Sequence, residues 1–298
     1  MQGRTLKSDL LLLSAAAIWG FAFVAQREGM AHIGPFVFNA VRFSLGTLVL
    51  LPFLPRRAAQ TPDASPLVRY GGIVLGVILF MGSSMQQIGM VTTGAGKAGF
   101  ITGLYVVLVP FVGWFLKHRI NLEHWLAVML TAIGLYLLTI TESLTLETGD
   151  VYVLIGAVFW TGHVLFLGLL SPRASTIRIA VTQFAVCALL SFAAALIREP
   201  IAWPKIIDAA LPILYGGVMS VSVAFSLQIY GQKYAPPTHA AILLSLEAVF
   251  AVLGGWLILS EQLSVRNLVG CGLMLAGMLV AQVRIFRNRE RHEKLRKS

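Results

Sequence analysis

The sequence predicts an all-α membrane protein in which ten transmembrane helices form two inverted five-helix repeats. Three observations carry that prediction. Hydrophobic residues fill 57% of the 298 positions and charged residues only 12%, about half the charged share of a water-soluble domain. Such a chain lacks the polar surface to cover itself in water. Apolar runs recur from end to end, each near the roughly 20 residues that cross a hydrocarbon core of about 30 Å. The pattern of the first half then returns in the second.

The first run, 10–27, follows Arg4 and Lys7 and has the look of a signal peptide. Nine more runs follow and the parity of the chain needs the first, so it reads as a retained helix. The second, 36–54, opens after the Gly34-Pro35 turn and stops before Arg56-Arg57. The third and fourth, 68–90 and 95–116, are parted by a glycine-rich stretch, and Lys117-His118-Arg119 precedes the fifth, 122–140. Thr148-Gly149-Asp150 leads into the sixth, 151–170, and Ser171-Pro172-Arg173 separates it from the seventh, 176–197. The eighth, 209–231, ends ahead of Pro236-Pro237, which opens the ninth, 238–259, and the tenth covers 265–284. Turn formers and charges at these joints stop a helix. The organisation is thus a first repeat over 1–145, a second over 146–284 and a basic tail over 285–298. No connection is long enough to fold as a soluble domain, so function is expected inside the bundle or at its mouths.

The formal charge of +10 would suit nucleic acid, but its distribution argues otherwise. With the N-terminus inside, 17 Lys and Arg fall on the inner side and 5 on the outer, with Arg42 inside a run. That is the positive-inside pattern, and it predicts a multi-pass cell-membrane protein (a bacterial inner membrane is expected) with both termini cytoplasmic. The tail can also touch anionic lipid. Cys187 and Cys271, both mid-run, read as small core residues and say nothing of a redox compartment.

Sliding the chain by 142 residues lays Gln86 on Gln228, Gly89 on Gly231, Ala98 on Ala240 and Gly113-Trp114 on Gly255-Trp256. At 141, Trp19 falls on Trp160 and Arg42 on Gln183. Five runs per half is odd, so the second half enters the membrane from the opposite side. Inverted halves make a bundle that can open alternately to each side around a ligand held at the midplane.

The stretch from Gln86-Gln87-Ile88-Gly89 through Gly94-Ala95-Gly96-Lys97-Ala98-Gly99 to Leu104-Tyr105 and Pro110 resembles the third and fourth helices of an EamA-type transporter of the drug/metabolite transporter superfamily. Leu246-Glu247-Ala248-Val249 through Gly255-Trp256 to Ser260-Glu261, then Gly277, is similar to the family's ninth and tenth helices. The resemblance covers nearly the whole chain. It implies two inverted five-helix halves, a central cavity and secondary transport of small metabolites, commonly export of amino acids or related compounds. The family often has proline directly after the intramembrane glutamate. Ala248 stands there in this chain, so helix nine lacks the residue expected to kink it.

Glu247 is the leading candidate for function. It lies about 14 Å into its run, where an acid costs at least about 2.5–3.5 kcal/mol on insertion scales and so should face a cavity or a partner. It reads as a protonatable site or a ligand for a substrate amine, against the alternative of a packing acid. Its repeat mate Tyr105 lies at matching depth. Trp19 and Trp160 form a second symmetric pair at mid-depth, away from the interface where tryptophan concentrates; they read as stacking surfaces or as packing. His163, one turn after Trp160, is a titratable candidate or a satisfied packing residue. Gln86 and Gln228 are either glue between helices or substrate contacts. Arg42, about 10 Å deep, either snorkels outward or holds a substrate carboxylate; the family often has a basic residue there. Glu261 and Arg266 read as loop charges. Gly94 to Gly99 matches G-x-G-x-x-G, yet a dinucleotide fingerprint needs a preceding strand. Lys97 beside those glycines could hold an anion at a helix start, while the bland reading is close helix packing, as in Gly72-x3-Gly76 and Gly99-x3-Gly103.

The chain has no H-E-x-x-H, G-x-S-x-G or P-loop, and its histidines lack metal-ligand spacing. An enzyme is therefore not expected, nor a cofactor, nor a nucleic-acid partner. A non-transporting membrane partner protein would call for a soluble loop or terminal domain. A lipid or lipid-linked-sugar flippase is the alternative within transporters. The expected partners are a small-molecule substrate and the bilayer, with a proton as candidate coupling ion and a homodimer as candidate assembly.

Overall fold

Every one of the ten apolar runs becomes a helix or a broken pair of helices in the computed structural model, which describes residues 2–54, 65–93, 95–116, 121–139, 147–259 and 264–297. The first half holds α1 (Gln2–Gly29), α2 (Pro35–Leu50) with a following 3-10 turn, α3 (Pro66–Gly89), α4 (Ala95–Gly103), α5 (Tyr105–Phe115) and α6 (Leu122–Thr139). The second holds α7 (Thr148–Leu170), α8 (Thr176–Arg198), a short α9 (Trp203–Asp208), α10 (Ala210–Leu214), a π-helical segment Tyr215–Ala224, and α11 (Phe225–Gln232). Then come α12 (Pro237–Leu244), α13 (Glu247–Leu259) and α14 (Val265–Lys297), so the basic tail continues the last helix. Eight stretches are long and apolar enough to cross a membrane, and two shorter apolar helices, Leu122–Leu137 and Val265–Ala281, accompany them. This is a multi-pass membrane protein with no strand among the described residues. Arg56-Arg57, Gly94, Lys117-His118-Arg119 and Glu261 lie outside the described residues.

Helix starts follow from local chemistry. α2, α3 and α12 each carry proline in the first turn, where its missing N–H has no intrahelical partner to lose. α7 is opened by Asp150, whose carboxylate accepts the Glu147 N–H at 2.8 Å. α9, absent from the sequence reading, begins with Trp203-Pro204 and fits the same rule.

The helices that break do so in step. α4 gives way to α5 at Leu104, and α12 gives way to α13 at Ser245-Leu246. Around both joints the backbone tightens to three-residue hydrogen bonds, Val107 N–H to Leu104 at 3.0 Å and Ala248 N–H to Ser245 at 3.2 Å. The repeat offset of 142 carries Leu104 onto Leu246 and Tyr105 onto Glu247.

Packing repeats with the same offsets. At Gly89, any Cβ would meet Gly149 and Val153; at Gly231, it would meet Ser8 and Leu12. An offset of 142 relates the glycines and 141 relates their partners. Gly76 faces Val186 as Gly217 faces Leu45. The first helix of each half is therefore lodged in the other: α1 lies against α11, α13 and the π-helical segment, and α7 against α3, α4 and α5. The two halves interlock, and the space left along their shared axis is the cavity.

Candidate functional site

The cavity has a volume of about 60 Å³. α1 contributes Trp19, Phe23 and Gln26 to its wall, α2 Arg42, α3 Gln86, α4 Thr102, α5 Tyr105 and α7 Trp160 and Val164. Ser220, Phe225, Gln228, Leu244 and Glu247 come from the second half. Seven of the nine residues singled out from sequence thus share one space: Trp19, Arg42, Gln86, Tyr105, Trp160, Gln228 and Glu247.

Glu247 is the first residue of α13 and Tyr105 the first of α5, so the two helix breaks deliver both side chains into the cavity. There the repeat mates meet directly, the Tyr105 hydroxyl donating to Glu247 Oε1 at 3.5 Å. Position explains the acid. The dipole at the start of a helix favours negative charge. Arg42 enters from α2. Its Nε donates to Asn39 Oδ1 at 2.9 Å, and its guanidinium lies 5.3 Å and 4.9 Å from the ring centres of Phe38 and Phe43, a stacking that suits a flat, weakly hydrated cation. Glu247 is 5% exposed and Arg42 4%, and neither has an ion-pair partner among the described residues.

The aromatic wall is fixed by hydrogen bonds. Trp19 Nε1 donates to the Ser220 carbonyl at 3.2 Å, and the Tyr215 hydroxyl reaches back to the Ile18 carbonyl at 2.9 Å; α1 and the π-helical segment are thereby tied twice. Trp160 Nε1 donates to Gln86 Oε1 at 2.8 Å, and Gln86 Nε2 to Gln26 Oε1 at 3.3 Å. Phe225 stands between the tryptophans, 4.8 Å from Trp19 edge-on and 6.2 Å from Trp160 in a stacked pose. Gln228 Oε1 is buried with no hydrogen-bond partner among the described residues.

Two sequence candidates fall elsewhere. His163 lies behind the wall, fully buried, with Nε2 at 2.9 Å from Gln183 Oε1 and its ring edge-on to Trp160 and Phe225. It packs the wall from outside the cavity: three residues after Trp160 it is turned about 60° around α7, toward Gln183 on α8, while Val164 still lines the space. Lys97 sits at a mouth of the bundle, 2.5 Å from Asp150. The glycines near it pack in the ordinary way, Gly103 tightly against Leu135, and a Cβ on Gly99 would meet the Phe23 ring at 4.0 Å. Gln26 was missed although an amide in an apolar run carries the same signal as Gln86. Phe225, Phe23 and Thr102 had no signal to separate them from the many other apolar or small residues of the spans.

With this geometry in hand, comparison with known proteins is specific. A model of the EamA-like transporter family matches residues 6–140 and again 147–282. An uncharacterized transporter of Archaeoglobus fulgidus is 29% identical over 95% of this chain and 88% of its own length. The uncharacterized transporter YoaV of Bacillus subtilis is 22% identical over 92% of this chain and 96% of its own. A protein crystal structure at 18% identity covers 94% of this chain and 98% of that one with a TM-score of 0.78, which establishes a shared fold.

Proposed function

This chain belongs to the EamA-like transporter family, and from that premise we propose that it exports amino acids or closely related small metabolites by alternating access around its central cavity. The general transport role comes with the family; the observation that supports the finer reading is the pair of opposite charges, Arg42 and Glu247, buried in one aromatic-walled space without ion-pair partners among the described residues. A lone buried charge is costly. A zwitterion answers both costs together, its carboxylate in the fork of Arg42 and its ammonium against Glu247. Trp19, Phe225 and Trp160 offer faces to an apolar side chain, while Gln228 Oε1 and the Gln26–Gln86 amides offer polar contacts.

Glu247 serves in this scheme as the site where a proton and a substrate ammonium compete. Binding of one releases the other, which couples export to a proton gradient. The chain has no P-loop, consistent with drive by a gradient. The basic asymmetry of the loops supports cytoplasmic termini in a bacterial inner membrane.

Thermal unfolding of the purified protein with a panel of amino acids, their amides and their amines tests this reading. A ligand at one hundred times its Kd stabilises by about 2.7 kcal/mol. Amino acids should raise the midpoint more than analogues lacking either charge. Equal shifts for all three classes, or stabilisation only by phospholipid or lipid-linked sugar, would overturn it, the latter in favour of a flippase.

A further inference from the structure

A lysine–aspartate ion pair and a hydrogen-bonded histidine–aspartate pair lie at opposite ends of the bundle, outside the cavity and unused by the scheme above. Lys97 Nζ is 2.5 Å from Asp150 Oδ2, and Asp150 also accepts from the Thr93 hydroxyl at 2.9 Å. His239 Nε2 is 2.8 Å from Asp9 Oδ1. The repeat relates them. The offset of 142 carries Lys97 onto His239, and 141 carries Asp9 onto Asp150. Each pair therefore joins one half of the molecule to the other, and the inversion puts one pair at each end.

Their places in the fold give the pairs a common mechanical role. Lys97 is in the first turn of α4 and His239 in the first turn of α12, the half-helices that end at the breaks before Tyr105 and Glu247. Their acidic partners stand near the starts of α7 and α1, the helices that each half lodges in the other. A half-helix pivoting on its break would part its pair and uncover the cavity at that end alone. Asp150, His239 and Asp9 are all buried. Parting such hydrogen-bonded groups is costly in a dry site and tolerable once water enters. Each pair is thus stable in two conditions, closed and dry or parted and wet.

Resting on the alternating-access reading, we infer that Lys97–Asp150 and Asp9–His239 are the two gates of the cavity, symmetry-related and opened one at a time. A static brace between the halves is the competing role, and the two differ in what happens at the far end. Parting one gate favours the state in which the other is shut. Loosening a brace leaves the far end unchanged or looser.

The test uses the full chain in sealed, uniformly oriented vesicles, with Cys187→Ser and Cys271→Ser as background and Ser220→Cys as a reporter on the cavity wall. The probe is a charged, membrane-impermeant methanethiosulfonate added to one side or the other. Single cysteines at the exposed positions Glu28 and Lys7 identify the two sides. Asp150→Asn should raise labelling of the reporter severalfold from the Lys97 end and lower it by a similar factor from the Asp9 end; Asp9→Asn should do the reverse. The exchange Lys97→Asp with Asp150→Lys should return both rates toward the parent, which separates lost pairing from misfolding. Unchanged labelling, or a rise at both ends together, would overturn the gates while leaving alternating access intact. Labelling from one end only in the parent and in every variant would overturn alternating access itself, and the gates with it.

Discussion

Replacing Glu247 with glutamine preserves shape and hydrogen bonding at the heart of the cavity while removing its charge. The structure sets the size of the effect. Among the described residues, the one hydrogen-bond partner of the Glu247 carboxylate is the Tyr105 hydroxyl at 3.5 Å, and an amide oxygen accepts that bond as a carboxylate does. Stability should therefore move by less than about 1 kcal/mol. Binding is another matter. A charge-assisted hydrogen bond between carboxylate and ammonium contributes about 1.5–3 kcal/mol, and about 1.4 kcal/mol is a factor of ten. The variant should bind an amino acid roughly tenfold to a hundredfold more weakly than the parent. It should bind the corresponding deaminated acid almost equally well. An amide also exchanges no proton in the working range, so the part of the pH dependence carried by this group should vanish. The assay is counterflow of a radiolabelled amino acid in reconstituted vesicles across a pH series, with ligand-induced thermal shifts beside it. Glu28→Gln, at an exposed position near one mouth, is the control and should be silent. Parental affinity with an unchanged pH profile in Glu247→Gln would show that this carboxylate only packs.

Three further outcomes follow from the same geometry. Arg42→Gln should abolish stabilisation by amino acids while sparing the weaker response to amines, and thermal shifts with matched pairs of ligands would reveal it. A Cβ on Gly231 would come within 2.8 Å of Leu12 Cγ, whereas one on Gly272 meets nothing within 4 Å. Gly231→Val should accordingly cost about 1–3 kcal/mol through overpacking, and Gly272→Ala should be neutral or gain up to about 1 kcal/mol of helix propensity, both read from unfolding in detergent. A reporter fused after Ser298 should be active only in its cytoplasm-dependent form; activity of a periplasm-dependent reporter there would reverse the orientation.

Much of this architecture is legible in sequence because a bilayer enforces it. Each backbone group in lipid must be paired within its own segment, so apolar length alone locates the ten helices. Polar residues in those runs are costly enough to need a cavity or partner, which is why Glu247, Arg42, Gln86 and Gln228 could be selected without any structure. The rotational setting of each helix is harder to read. Trp160 and His163 are one turn apart on α7, and only packing decides that the indole lines the cavity while the imidazole meets Gln183. Lys97 shows the opposite difficulty. Its partner Asp150 lies 53 residues away across the repeat boundary, and no local pattern connects them. The repeat itself misleads where it is only structural: Trp114 and Trp256 are related by 142 residues, yet both are exposed on the outer surface.

The break before Glu247 exposes the weakness of reading kinks from proline alone. Sequence reasoning tied a bend in the ninth helix to a proline that is absent here, since Ala248 follows the glutamate. The structure nevertheless ends α12 at Leu244 and restarts at Glu247. Its mate breaks at Leu104, six residues before Pro110, which sits inside α5. Neither break occurs at the proline that a local rule would nominate. What the two sites share is position: each lies beside the cavity, with a polar residue opening the next helix. Buried irregular backbone is tolerated at membrane depth where it lines a cavity, and here the three-residue bonds of Val107 and Ala248 keep both joints paired. The break is therefore a property of the interface between the halves. The serine at the second joint satisfies itself locally, Ser245 Oγ donating to the Ile242 carbonyl at 2.8 Å, which eases the turn without a proline. Symmetry then accounts for the pairing that sequence could only suggest. Two half-helices ending at equivalent depths from opposite sides must bring their next residues together, and those residues are Tyr105 and Glu247.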